Sequence, residues 1–119
     1  MITKNLSEDE VRCKCCGDVV FHRGFCDRLQ IIRDIVGIPF IHQSFFRCRD
    51  YNDSLPNSSP TSQHTLGRAT DILTQGFTGN QKWQLVKAAM SLGFSVGIYS
   101  AHIHLDYRNG DPTIFYGSY

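Results

Sequence analysis

The feature of this sequence that most constrains its fold is the stretch over residues 62–71, which reads Ser-Gln-His-Thr-Leu-Gly-Arg-Ala-Thr-Asp. It places His64 seven residues before Asp71, with Gly67 between them. Residues an odd number apart point to opposite faces of a continuous strand, so these two side chains can converge only if the chain bends. Gly67 permits such a bend because glycine adopts backbone conformations closed to other residues. Imidazole and carboxylate are both ligands that zinc accepts, so the stretch predicts one half of a metal site.

A second cluster of polar side chains follows over residues 101–106. If this segment is a strand, His102, His104 and Asp106 share one face, because alternate residues of a strand point the same way. The residues between them are apolar and would face the core. A strand face with two histidines and an aspartate is not an ordinary sheet surface, and it could close the metal site.

A site with three protein ligands would leave the fourth position of a zinc ion to water, which is the catalytic arrangement rather than the structural one. Zinc lowers the pKa of such a water from 15.7 to about 7. Amide hydrolysis then needs a base for the water and a positive charge for the developing oxyanion. His102 is a plausible base, and Asp106 could orient either His102 or His104. Arg47 is the expected partner of the oxyanion or of a substrate carboxylate.

The two motifs together resemble those of a known family. Five residues fit the pattern S-x-H-x-x-G-x-A-x-D in full: Ser62, His64, Gly67, Ala69 and Asp71. His102 and His104 supply the H-x-H that follows. The combination resembles the zinc D-Ala-D-Ala carboxypeptidase family, whose members cut peptidoglycan stem peptides and whose relatives include phage lysins and the hedgehog signalling domain.

The resemblance implies roles for individual residues. Its zinc ligands would be His64, Asp71 and His104. Residues 44–48, followed by Asn52, resemble the family's S-G-Y-R-C…N stretch, which makes Arg47 the transition-state arginine.

Residues 97–99 resemble the family's G-x-Y lead-in to the second motif. The expected substrate-binding residues are therefore Ser62, Arg47 and Tyr99. We expect the Ser62 hydroxyl to brace the ligand loop rather than to act as a nucleophile.

Two departures from the family pattern affect the expected mechanism. Phe45 stands where a glycine is usual, which would reshape the pocket beside Arg47. Ala101 stands where part of the family carries a glutamate base, three residues before the last histidine ligand. His102, or failing it Asp106, is left to take the proton.

Composition and charge exclude several classes of function. At 119 residues the chain is expected to form a single domain over residues 1–119. The formal net charge is +1 and the basic residues are scattered, which argues against a nucleic-acid partner. No apolar run approaches the roughly 20 residues of a membrane helix, and the N-terminal segment is too polar for a secretory signal. We expect a monomer that is synthesised in the cytoplasm and acts on the cell wall after release, as in phage lysis, or by another route.

The five cysteines are Cys13, Cys15, Cys16, Cys26 and Cys48. An odd number of cysteines without a signal peptide argues against a disulfide framework. The cluster over residues 13–17 could form half of a second, structural zinc site, with Cys26 and Cys48 as the other half. Because the spacing does not match a standard zinc ribbon, we expect free or locally paired thiols instead.

The order of predicted elements, helices first and mostly antiparallel strands afterwards, indicates an α+β fold. A small antiparallel sheet would carry the zinc site and pack against two main helices, as in the hedgehog and D-Ala-D-Ala peptidase fold. The helices are predicted over residues 21–36, with Phe25, Leu29, Ile32 and Val36 facing the core, and over residues 81–92. The inner face of the second helix is predicted to carry Trp83, Val86, Ala89 and Met90.

The strands are predicted over residues 39–47, 68–73, 94–99, 102–108 and 113–116. Residues 48–61 are predicted to be a loop that borders the cleft. The Asn109-Gly110 dipeptide predicts a hairpin that pairs the last strand back onto the one before it.

Two functions from different classes fit these observations. The first is a zinc peptidase on peptidoglycan stem peptides, of the phage or prophage endolysin type. The second is a non-catalytic, zinc-stabilised binding module of the same fold that recognises cell-wall peptide or a protein partner. The missing glutamate motivates the second, and so does the resemblance of residues 101–104 to hedgehog, which keeps the zinc site without a known peptidase role. A thiol-based function of residues 13–16 ranks below both.

Overall fold

The computed structural model describes residues 1–56 and 58–117 and shows the predicted α+β fold. Its helices are α1 (Glu8–Val11), α2 (Arg23–Val36), α3 (Arg49–Ser54) and α4 (Gly79–Ser91), with a 3₁₀ turn at Gln63–Leu66. Its strands are β1 (His42–Ser44), β2 (Ala69–Leu73), β3 (Ser95–Ile98), β4 (His102–Asp106) and β5 (Ile114–Tyr116). Within the described residues, no helix is long and apolar enough to cross a membrane.

The five strands form one sheet in the order β1-β2-β4-β3-β5. The strand β4 is antiparallel to both of its neighbours, β2 and β3. The register of β2 and β4 sets Asp71 directly opposite His104. The backbone alone therefore brings the two predicted halves of the metal site together.

The predicted hairpin between β4 and β5 is wrong. The chain does reverse after β4, and Gly110 has a φ of +87° in that connection. However, β2 and β3 already occupy both edges of β4, so β5 pairs with β3 instead. Because β3 is antiparallel to β4, β5 runs parallel to β3, with Gly97 opposite Phe115.

The helix α2 buries the apolar side predicted for it: Phe25, Leu29, Ile32 and Val36. The prediction for α4 is partly wrong, because Trp83 and Met90 are 58% and 55% exposed. The buried side of α4 consists of Leu85, Ala88 and Ala89. Trp83 instead lies at the surface, where the Lys87 ammonium sits 4.8 Å from its ring centroid.

The described part of the segment between β1 and β2 contains more regular structure than the composition predicts. The predicted strand over residues 39–47 is regular only at His42–Ser44, and the predicted loop over residues 48–61 contains α3. Asn52 stabilises this segment, since its fully buried amide donates to the Ser59 carbonyl at 2.9 Å. The polar residues that favour a loop in the sequence here satisfy backbone groups of a folded segment.

Gly67 forms the predicted bend between the 3₁₀ turn and β2, with a φ of +67°. A Cβ at this position would lie 2.2 Å from the Val20 carbonyl oxygen. Glycine is therefore required here for two reasons: its backbone is left-handed, and another segment of the chain passes too close for a side chain.

The substitution Gly67→Ala should lower the free energy of unfolding by about 3 kcal/mol, because alanine must adopt the left-handed conformation and also displace packed backbone. Gly110→Ala is the matched control, since its φ is +87° but nothing lies within 4 Å of the added Cβ. That variant should lose only about 1 kcal/mol. Urea unfolding of the two variants measures the difference, and equal losses would contradict the packing argument.

His42 on β1 is a neutral histidine built into the sheet. Its Nδ1 lies 2.7 Å from Thr70 Oγ1, and the Thr70 hydroxyl donates to the Ser44 carbonyl at 3.3 Å. The hydroxyl proton is thus used, so His42 Nδ1–H is the donor to Thr70. Burial lowers the pKa of His42 to about 4.

Between pH 6.5 and about 4 the unfolded chain therefore binds a proton at His42 that the folded chain does not. The stability of the protein should fall as the pH falls through this window, by about 1.4 kcal/mol per pH unit from this group. The variant His42→Gln keeps a donor for Thr70 but does not titrate. In urea unfolding at pH 7 and pH 4.5, wild type should lose about 2 kcal/mol more than the variant. An identical pH dependence would show that His42 does not contribute.

Candidate metal centre

The predicted bend brings His64 onto Asp71. The Ser62 hydroxyl accepts the His64 backbone N–H at 3.3 Å and starts the 3₁₀ turn, which Gly67 ends. After this turn the chain enters β2, and His64 Nε2 lies 3.4 Å from Asp71 Oδ2. Ser62 thus braces the turn, as the sequence predicts.

The strand β4 supplies the third group. His104 Nδ1 lies 2.9 Å from Asp71 Oδ1, and the His104 and His64 rings are 5.2 Å apart at their centroids. One nitrogen of each imidazole and one oxygen of Asp71 lie within 4.8 Å of one another. This spacing allows all three to bind a single ion.

The outer nitrogens of the two imidazoles show that the group fits a metal. His64 Nδ1 lies 2.6 Å from the Phe45 carbonyl, which can only accept, so Nδ1 carries the proton and Nε2 faces Asp71. His104 Nε2 lies 2.7 Å from Asp106 Oδ2 and donates to that carboxylate, so Nδ1 faces Asp71. Histidine ligands of metals are held in this way, with the distal N–H on a carbonyl or a carboxylate.

The buried carboxylates of the centre are stabilised by positive charge around them. Burial by itself would raise the pKa of Asp71, but hydrogen bonds from His104 and His64 hold it well below its ordinary range. Burial by itself would lower the pKa of His104, but its bonds to Asp106 and Asp71 raise it to about 9. A divalent cation would stabilise the same carboxylates and would displace the proton on His104 Nδ1.

Asp106 orients His104, one of the two options that the sequence leaves open. It is fully buried, and besides His104 it binds Arg108, whose Nε and Nη2 donate at 2.8 and 2.6 Å. Arg108 was not among the predicted site residues, although it follows Asp106 by two residues and shares its face in the strand predicted over residues 102–108. The Phe45 carbonyl was also missed, and no side-chain pattern could have indicated it.

The centre opens onto a groove of about 830 Å³. The groove is lined by all eight side chains proposed for the site except the buried His64: Arg47, Ser62, Asp71, Tyr99, His102, His104 and Asp106. A groove of this size accommodates an extended peptide or a comparable ligand.

Arg47 lies at the edge of the centre and its guanidinium is fixed on three sides. Nη2 donates to Asp71 Oδ2 at 3.2 Å, Nε to Ser44 Oγ at 2.9 Å, and Nη1 to Asn52 Oδ1 at 3.4 Å. The Arg47 backbone N–H donates to the His64 carbonyl at 3.1 Å. The arginine is thus tied to the ligand loop by both its backbone and its side chain.

His102 and Tyr99 also line the groove, next to each other. Their rings stack with centroids 4.3 Å apart and an angle of 13° between the planes. Burial lowers the pKa of His102, although the charge of Asp71 opposes the shift. The stacked ring is therefore neutral near pH 7 and has a fixed orientation.

The variant Asp106→Asn should weaken zinc binding at this centre by about 10-fold to 100-fold, because His104 loses the charged acceptor that orients its ring. Asp111→Asn is the control, since Asp111 is exposed in the connection after β4. Competition titration with a chromophoric chelator measures both affinities. Equal affinities would show that Asp106 does not support the ligand.

Comparison with protein families gives a match that covers most of the chain. A family model described as Peptidase M15 matches residues 4–106, which include the three residues of the centre, Arg47 and His102. The comparison with curated proteins gives no match.

Proposed function

The chain belongs to the peptidase M15 family, the zinc D-Ala-D-Ala carboxypeptidase family, and we propose that it hydrolyses peptide bonds in peptidoglycan stem peptides. Membership of this family makes it a metallopeptidase. The observation that carries the proposal is the convergence of His64, Asp71 and His104, with Asp71 and His104 lining an open groove. Two imidazoles and one carboxylate form a donor set of the kind that catalytic zinc sites use.

The ion would be held by His64 Nε2, a carboxylate oxygen of Asp71 and His104 Nδ1. Bound zinc supplies a water that ionises near neutral pH and a positive charge for the scissile carbonyl. The Phe45 carbonyl and Asp106 keep the two imidazoles in the tautomers that this role needs.

His102 is the proposed general base. It lines the groove beside His104, and its stacking on Tyr99 fixes the ring. The alternative base, Asp106, fits less well, because its two oxygens are engaged by His104 and Arg108 in a fully buried position. His102 would accept the proton of the attacking water and later deliver it to the leaving amine.

Arg47 is the proposed partner of the oxyanion or of a substrate carboxylate. Its guanidinium stays in place through Ser44 and Asn52 while one edge faces the centre. A preorganised cation of this kind stabilises developing negative charge without reorganisation during the reaction. Ser62 and Tyr99, which flank the centre, are proposed to contact the peptide.

The proposed setting is the bacterial cell wall, with the protein acting after release as an endolysin-type hydrolase. This part of the proposal rests on the family resemblance of the two zinc motifs. The products of digestion identify which bond of the stem peptide is cut.

One observation favours a second candidate, a zinc-stabilised binding module that recognises cell-wall peptide without cutting it. Ala101 lines the groove where part of the family carries a glutamate base. If His102 does not replace that glutamate, the centre binds zinc but lacks a base.

The test is the digestion of purified muropeptides followed by mass spectrometry. Wild-type protein with zinc should release an amino acid or a shorter peptide, and removal of the metal with a chelator should abolish the release. His102→Ala should lower kcat by about 10²-fold to 10⁴-fold while the zinc content stays unchanged. Gln43→Ala, at an exposed position in the same groove, is the control and should keep its kcat.

Two outcomes would contradict the peptidase. Equal release with and without the chelator would remove the metal from the mechanism. Absence of turnover by a folded wild-type protein with bound zinc would support the binding module.

A further inference from the structure

We propose that Cys13, Cys16 and Cys48 bind a second zinc ion that is structural and separate from the histidine centre. The three sulfur atoms lie within 4.8 Å of one another. They come from two distant segments, the turn after α1 and the residue that caps α3. Thiolates are the ligands that structural zinc sites use most, and a spacing of two residues between the first pair is standard for them.

The turn that carries Cys13 and Cys16 holds their sulfur atoms close together. Gly17 has a φ of +80° and donates its backbone N–H to the Cys13 carbonyl at 3.0 Å. Cys13 Sγ accepts the Cys15 backbone N–H at 3.4 Å. The turn thus closes around the Cys13 sulfur and exposes Cys16 beside it.

The segment around Cys48 contacts the same sulfur atom, Cys13 Sγ. The Cys48 backbone N–H donates to Cys13 Sγ at 3.3 Å, and Cys48 Sγ accepts the Tyr51 backbone N–H at 3.4 Å. Two of the three sulfurs therefore already accept backbone N–H donors, which favour a sulfur that carries negative charge. Three thiolates this close repel one another unless a cation lies between them.

The remaining cysteines have different positions. Cys15 lies in the same exposed turn as Cys16 but outside the group of three sulfurs, and in the proposal it is the residue available as a fourth ligand. Cys26 is fully buried in α2 and lies outside the group, and burial raises its pKa to about 12. The structure therefore places Cys26 outside the second site that the sequence left open as an alternative. All five cysteines are free thiols in the structure, and a disulfide would use only two of the three sulfurs that converge.

The proposed ion would hold the part of the chain that supports the histidine centre. Cys48 directly follows Arg47, and the Phe46 backbone N–H donates to the Val11 carbonyl at 3.1 Å. The same segment contains the Phe45 carbonyl that orients His64. A zinc ion at the cysteines would therefore link the N-terminal turn to the segment that positions Arg47 and the His64 imidazole, without contacting the substrate.

The test is the zinc content of the full chain, purified under reducing conditions and measured by mass spectrometry of the metal. Wild type should bind about two ions per chain. Cys16→Ser and His104→Ala should each bind one, because each removes a ligand from a different site. Cys26→Ala is the matched control and should keep two. Cys16 is exposed, so its replacement leaves no cavity, and circular dichroism verifies the fold of each variant.

Cobalt substitution identifies the ligands independently of any activity. The cobalt form should show sulfur-to-cobalt charge-transfer absorption in wild type and in His104→Ala, and this absorption should be lost in Cys16→Ser. An unchanged zinc content in Cys16→Ser, or a cobalt spectrum without charge transfer, would overturn the proposal. A non-reducing mass that shows a disulfide among these cysteines in the zinc-loaded protein would overturn it too. Failure of the peptidase would leave these results unaffected.

Discussion

The interaction on which the site depends is the burial of the Asp71 carboxylate on β2. A buried carboxylate is stable only when donors or positive charges surround it. Three groups converge on it, from His64, His104 and Arg47, at 3.4, 2.9 and 3.2 Å. They belong to the 3₁₀ turn, to β4 and to the segment after β1, so three separate parts of the chain must fold together before the charge is satisfied.

Each of these groups is in turn held by a partner of its own. The Phe45 carbonyl fixes His64, and the Asp106–Arg108 ion pair fixes His104. These partners determine which nitrogen of each imidazole faces Asp71. This arrangement explains why the donor atoms are suited to a cation.

The two local motifs predicted which segments converge, because alternation on β4 and the bend at Gly67 bring their polar side chains together. The choice of His104 over His102 as the ligand came from the family resemblance. The α+β fold and the buried side of α2 were also predictable from periodicity. The parallel pairing of β5 was not, since it depends on β2 and β3 already occupying both edges of β4. The exposed position of Trp83 and the order around Asn52 depend on tertiary packing that local propensity does not contain.

Anomalous diffraction from zinc-loaded crystals, collected on both sides of the zinc absorption edge, tests whether His64, Asp71 and His104 bind one zinc ion. We expect an anomalous peak bounded by His64 Nε2, an oxygen of Asp71 and His104 Nδ1. Zinc-loaded crystals without a peak there, or with the three side chains turned apart, would contradict it.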